Sequence, residues 1–247
     1  MKDNHVMSTK IKILYLALAI LIVYTLWPSG GEQQEITQAA IISENEQGEM
    51  TVFGVVLGKT TLGEAEIILG SRAKRALFIM PPEIDEQGNE LTPEHNVEAF
   101  FPSLPDNSKM LLGLHSKESE LEQIRYKAHG PIAFPSGNIK LEIDDQQQAM
   151  VNNMPVITLT SIPRIKLGPE DISNKFGEPA LVHVQEEILH FLYPKIGLDV
   201  ILDKSGEALL QFVEPSKFSQ VLSSLDLDKE ALTNPDTPPQ EHNDEPL

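Results

Sequence analysis

No cysteine occurs among the 247 residues of this chain. That one absence excludes disulfides, thiolate catalysis, cysteine-ligated metals and a lipid-modified N-terminal cysteine. Basic residues are scarce too: 19 Lys and Arg stand against 37 Asp and Glu, a net charge of −18. Phosphate binding requires clustered Lys and Arg to release counterions, so nucleic acid is excluded as a partner and the folded part is unsuited to anionic headgroups. No glycine-rich phosphate loop is present, because Gly54, Gly58 and Gly63 lack the required order and the following Lys-Ser/Thr. Serine-nucleophile motifs are also missing: there is no G-x-S-x-G, and Ser116-Lys117 and Ser216-Lys217 are adjacent pairs rather than Ser-x-x-Lys.

Long apolar runs are limited to one. Residues 13–27, ILYLALAILIVYTLW, carry no charge, and Ile11 with the stem of Lys12 extends the run to 17 residues, the short end of the spanning range. Tyr15, Tyr24 and Trp27 sit near its ends, where amphipathic rings favour the membrane interface. Lys2, Lys10 and Lys12 precede the run, whereas Glu32, Glu35, Glu44, Glu46 and Glu49 pass before the next basic residue, Lys59. This asymmetry predicts a single-pass inner-membrane anchor, with the N-terminus cytoplasmic and the C-terminal domain periplasmic. A cleaved signal is the competing reading, with Ser29-Gly30-Gly31 as a cleavage site made unfavourable by Trp27-Pro28.

Composition divides the rest. Residues 1–27 form the cytoplasmic tip and anchor, 28–50 a polar linker, 51–130 a first α+β unit, 131–160 a connecting segment, 161–225 a second α+β unit, and 226–247 an acidic, proline-containing tail expected to be disordered. The two units are read as an internal repeat. FGVVLGKTTLGEAEIILGS (residues 53–71) matches PRIKLGPEDISNKFGEP (residues 163–179): a β-rich run ends in Leu-Gly, a short amphipathic helix follows, and Gly70 or Gly177 stops it. Thr61 with Glu64 makes a capping box, and Pro169, Glu170 and Asp171 suit a helix first turn. Strands then match in pairs: residues 73–81 with 180–185, 97–102 with 188–194, and a hairpin at 109–126 with another at 198–213, turned by Asp203-Lys204-Ser205-Gly206. A closing helix at 215–224 is expected to pack Phe218, Val221 and Leu222 on the second unit. The fold class expected is α+β, an N-terminal transmembrane helix followed by two tandem helix-plus-antiparallel-sheet units.

Leu57-Gly58 through Leu69-Gly70, and Leu167-Gly168 through Phe176-Gly177-Glu178-Pro179, resemble the periplasmic domains of the SmpA/OmlA (BamE-like) family and the tandem β-lactamase-inhibitor-protein-like fold. The resemblance implies a non-catalytic, protein-binding envelope domain. The missing lipobox cysteine departs from that family's pattern, so lipidation does not carry over.

Glu187 and His190 have E-x-x-H spacing, which shares a face only on a helix. The surrounding VHVQEEILHFLY alternates like a strand, so His183 and His190 are read as surface or half-buried strand residues. The expectation is a single-pass membrane-anchored periplasmic binding or scaffold protein, not an enzyme, with no cofactor and no metal. Its partner is another envelope protein, met through an exposed sheet face or edge strand. An apolar groove lined by Phe100, Phe101, Phe191 and Tyr193 is the candidate protein-binding surface. The alternative is an envelope enzyme or small-ligand-binding protein with a dispersed site, favoured by a pocket gathering His183, His190 and a carboxylate. Homodimerisation through the sheets, or through the anchor helix, is a third arrangement.

Overall fold

The computed structural model describes residues 41–82, 93–227 and 232. Over them the chain is α+β. A small hairpin, β1 (Ile42–Glu44) and β2 (Met50–Val52), leads into α1 (Leu62–Ile68), followed by β3 (Lys74–Ile79), β4 (His95–Phe101) and β5 (Lys109–Leu114). Then come α2 (Glu118–Lys127), β6 (His129–Ala133), β7 (Ile139–Glu142), α3 (Gln148–Asn152) and β8 (Val156–Ile162). The last part runs through α4 (Pro169–Phe176), β9 (Leu181–Gln185), β10 (Ile188–Tyr193), β11 (Leu198–Asp203), β12 (Ala208–Val213) and α5 (Phe218–Ser224).

Ten of these strands form one antiparallel sheet in the order β6-β7-β3-β4-β5-β8-β12-β11-β10-β9. Toward the centre from either side, β3-β4-β5-β8 and β9-β10-β11-β12 run in the same sequence order and meet where β8 pairs with β12. Their registers agree. Leu77 pairs with Val97 and Val97 with Leu114, as Val184 pairs with Leu189 and Leu189 with Leu202. Phe101 faces Met110 as Tyr193 faces Leu198.

Alternation along each strand sends one set of side chains to a common core. Leu77, Phe101, Leu112, Leu159, Phe212 and Val200 pack there against Leu62 and Ala65 of α1, Ile124 of α2, Val151 of α3 and Ile172 and Phe176 of α4. The other face takes α5, whose Phe218, Val221 and Leu222 pack on Leu192 and Val213. Helix starts follow their sequence signals. The backbone N–H of Thr61 donates to Glu64 Oε2 at 2.8 Å, and that of Gly168 to Asp171 Oδ2 at 2.7 Å, occupying donors that a helix start leaves open. Gly177 ends α4 at φ 81°, and Tyr193 Oη–H donates to its carbonyl at 2.9 Å. Glu66 anchors α1 to the sheet. Its Oε1 accepts from Ala73 N–H at 2.8 Å and Arg75 Nη2 at 2.9 Å, and the same Arg75 nitrogen reaches Asn152 of α3 at 2.6 Å.

Four expectations are corrected. The hairpin expected over residues 109–126 is β5 followed by helix α2: Lys117 N–H donates to Glu120 Oε2 at 2.9 Å, and Leu121 and Ile124 share a helical face. The strand that returns beside β5 is β8, within the segment read as a connector, at the sheet centre. The linker expected over 28–50 contains β1, which pairs Ile42 with Val52, and Ile41 is a core residue. At the other end Leu227 and Leu232 pack against the α5 cluster, inside the stretch expected to be disordered. The anchor at residues 1–27 lies outside the described residues, as do 28–40 of the linker and 228–231 and 233–247 of the tail.

Candidate functional site

The β9–β10 hairpin builds one edge of the sheet. Its sequence alternates, and a two-residue turn, Glu186-Glu187, joins Gln185 to Ile188. Glu186, the first residue of that turn, sits at φ 57°, a positive value that favours glycine. Such a loop makes Gln185 and Ile188 a hydrogen-bonded pair, so His183 with His190 and Leu181 with Leu192 follow at every second position. The N–H and C=O of Val182 and Val184 therefore point away from β10, and no described strand pairs with them. Both valine side chains are exposed, 44% and 60%, on the face that elsewhere forms the core. Here three features coincide: unpaired backbone, apolar side chains, and neither proline nor lysine in the strand. The opposite edge differs. β6 carries Gly130 and Pro131, its register shifts between His129 and Ile132, and proline has no N–H to donate.

Behind β9, on the α5 face, His190 is buried and its Nδ1 lies 2.9 Å from Asp199 Oδ2 on β11. The His183 and His190 rings are 6.4 Å apart and tilted by 49°. Burial, then the neighbouring His190, hold the His183 imidazole below its ordinary range, while Asp199 and Asp226 oppose the shift. Gln211 is buried directly opposite Asp199. A His–Asp pair is the base and orienting group of a hydrolytic triad, but a nucleophile must reach the second ring nitrogen. His190 Nε2 has no hydrogen-bond partner among the described residues.

The expected aromatic groove does not form. Phe101, Phe191 and Tyr193 are buried in the main core, and the Phe176 and Tyr193 rings meet at a 56° tilt with centres 6.0 Å apart. Phe100, the neighbour of Phe101, points to the other face and is half-buried, since successive strand residues alternate. β4 and β10 are also separated by β5, β8, β12 and β11, which at about 4.8 Å per strand puts them roughly 24 Å apart. The E-x-x-H pair is likewise divided: Glu187 pairs with Lys204 at the turn, and His190 with Asp199. His190, expected at or near the surface, is buried, on the side of the sheet that also takes α5. The sequence signal for Asp199 was its place as the one acid in an otherwise apolar strand stretch, LDVIL.

Two further features lie elsewhere. Glu98 of β4 is buried between Ala76 and Gly113, its Oε2 without a hydrogen-bond partner among the described residues, and burial pushes its carboxyl up to about 8. An open cleft of about 530 Å3 lies between the β1–β2 hairpin and α1, bordered by Glu49, Lys59, Ile67 and Ile68. No protein-family model matches the chain, no curated protein matches it, and no solved structure matches it.

Proposed function

We propose that this chain is a non-catalytic binding or scaffold module of the bacterial envelope. It is held by a single N-terminal membrane helix, displays its sheet in the periplasm, and uses the β9 edge to contact another envelope protein. The observation that carries the reading is the edge itself: two outward backbone stations beside exposed Val182 and Val184, on a strand without proline or lysine. Lysine asymmetry around residues 13–27 supports the anchor and its orientation. Among the described residues no helix is long and apolar enough to cross a membrane. The matching registers of β3-β4-β5-β8 and β9-β10-β11-β12 support two copies of one helix-and-sheet unit. That arrangement accords with the resemblance to SmpA/OmlA and β-lactamase-inhibitor-protein-like domains.

A photo-crosslinking residue at position 184, in the full chain and in intact cells, tests the reading. Crosslinks to a second protein from position 184, and none from the exposed position 126 on α2, are expected. Equal capture at both positions, or none at 184, overturns it. A second reading, an envelope enzyme or small-ligand binder, draws on the gathering of His183, His190 and Asp199. It requires His183→Ala to abolish an activity or a ligand-induced shift while leaving position-184 crosslinks intact.

A further inference from the structure

We propose, resting on the binding-module reading above, that the β9 edge is completed by an extended antiparallel strand of another protein, apolar at alternate positions like this chain's own β7 and flanked by lysine or arginine.

The strand chemistry comes from the matching strands. β3 occupies in its run the place that β9 occupies in the other, and β3 has an outer neighbour: β7 pairs Leu141 with Leu77 and Ile139 with Ile79. Leu77, paired with that neighbour, is fully buried in the main core, whereas Val184, at the matching register, is 60% exposed. Among the described residues the complement of this edge is thus present once and absent once. An occupant patterned like β7 sets an apolar residue opposite Val184, as Leu141 sits opposite Leu77, and takes up the outward N–H and C=O of Val182 and Val184.

Charge selects the source. Residues 177–188 contain Glu178, Glu186 and Glu187 and no lysine or arginine, and Lys204 is already paired with Glu187. A second copy, docked antiparallel about a two-fold axis, brings the same three glutamates against these. The C-terminal stretch 226–247 of the same chain carries seven acidic residues against Lys229. Both meet like charge, and a strand with basic flanks meets its complement.

The probe is a fluorescently labelled synthetic peptide copying residues 138–143, with Glu142→Lys and two lysines added at each end, titrated against the full chain in nanodiscs and read by anisotropy. Saturable binding is expected. Val184→Pro removes an outward-facing donor without breaking a bond to β10, and Val184→Glu keeps the backbone and adds a like charge; each is expected to weaken binding at least 10-fold. Glutamate flanks on the peptide have the same expected effect. Equal binding by a scrambled peptide, or unchanged binding by the Val184→Glu chain, overturns the proposal. So does a dimer that Val184→Glu dissociates, which names a second copy as occupant, or a position-184 crosslink to residues 226–247 of the same chain. Crosslinks to a second protein in cells without peptide binding overturn the strand chemistry alone; loss of both overturns the binding-module reading as well.

Discussion

Leu77 and Val184 stand at the same register position in two matching strand runs, yet Leu77 is 0% exposed and Val184 60%. Each lies opposite an apolar residue of the next strand inward, Val97 or Leu189. The difference is on the outer side. Leu77 is paired with Leu141 and joins the cluster that includes Ile124, whereas no described strand lies outside Val184.

That asymmetry sets the first prediction. Leu77→Ala removes a fully buried side chain and is expected to lower unfolding free energy by about 2–5 kcal/mol. Val184→Ala removes an exposed one and is expected to change it by less than about 0.5 kcal/mol. Urea unfolding midpoints of the two variants check the contrast.

Glu98 gives a pH dependence. Its ordinary value of 4.5 is pushed up to about 8 by burial, so across that window the folded chain holds a proton that the unfolded chain releases. Stability is therefore highest near and below pH 4.5 as far as this group is concerned, and falls as pH rises toward 8. The slope approaches about 1.4 kcal/mol per pH unit. Unfolding measured from about pH 5 to about pH 9 is expected to show this decline, and Glu98→Gln to flatten it.

The sequence displays those elements whose signals are local. Thr61 and Glu64 announce the start of α1, Gly177 the end of α4, and Asp203 through Gly206 a turn that the structure closes with Gly206 N–H on Asp203 O at 3.1 Å. Phe218, Val221 and Leu222 announce α5 by helical spacing, and they pack as that spacing requires. Non-local pairing is hidden. Residues 109–126 read as a hairpin because Leu114 precedes a polar turn and Ile124 returns on the apolar side, but the partner of β5 lies beyond α2, β6, β7 and α3. The aromatic groove fails for a related reason: Phe101 and Tyr193 hold matching places in their strands, and matching places in two joined runs lie far apart. The His190–Asp199 contact depends on the β10–β11 register, which alternation alone does not fix.

That contact gives a further prediction. Asp199→Ala leaves His190 Nδ1 buried without its partner and is expected to destabilise by about 3 kcal/mol. Replacing both residues with leucine removes the unsatisfied groups together and is expected to cost less than the single change. A double-mutant cycle in urea measures the coupling.

Glu186 holds a left-handed backbone that glycine adopts without strain. Glu186→Gly is expected to raise the melting temperature, by about 1 kcal/mol in stability, while weakening the basic-flanked peptide. Calorimetry and the anisotropy titration read the two effects separately.

Residue-resolved amide exchange along β9 tests the open edge most directly. In the purified full chain, Val182 and Val184 are expected to exchange orders of magnitude faster than Leu181, His183 and Gln185, whose amides face β10, and to become protected when the basic-flanked peptide binds. Equal protection of all five amides in the free chain would contradict an open edge.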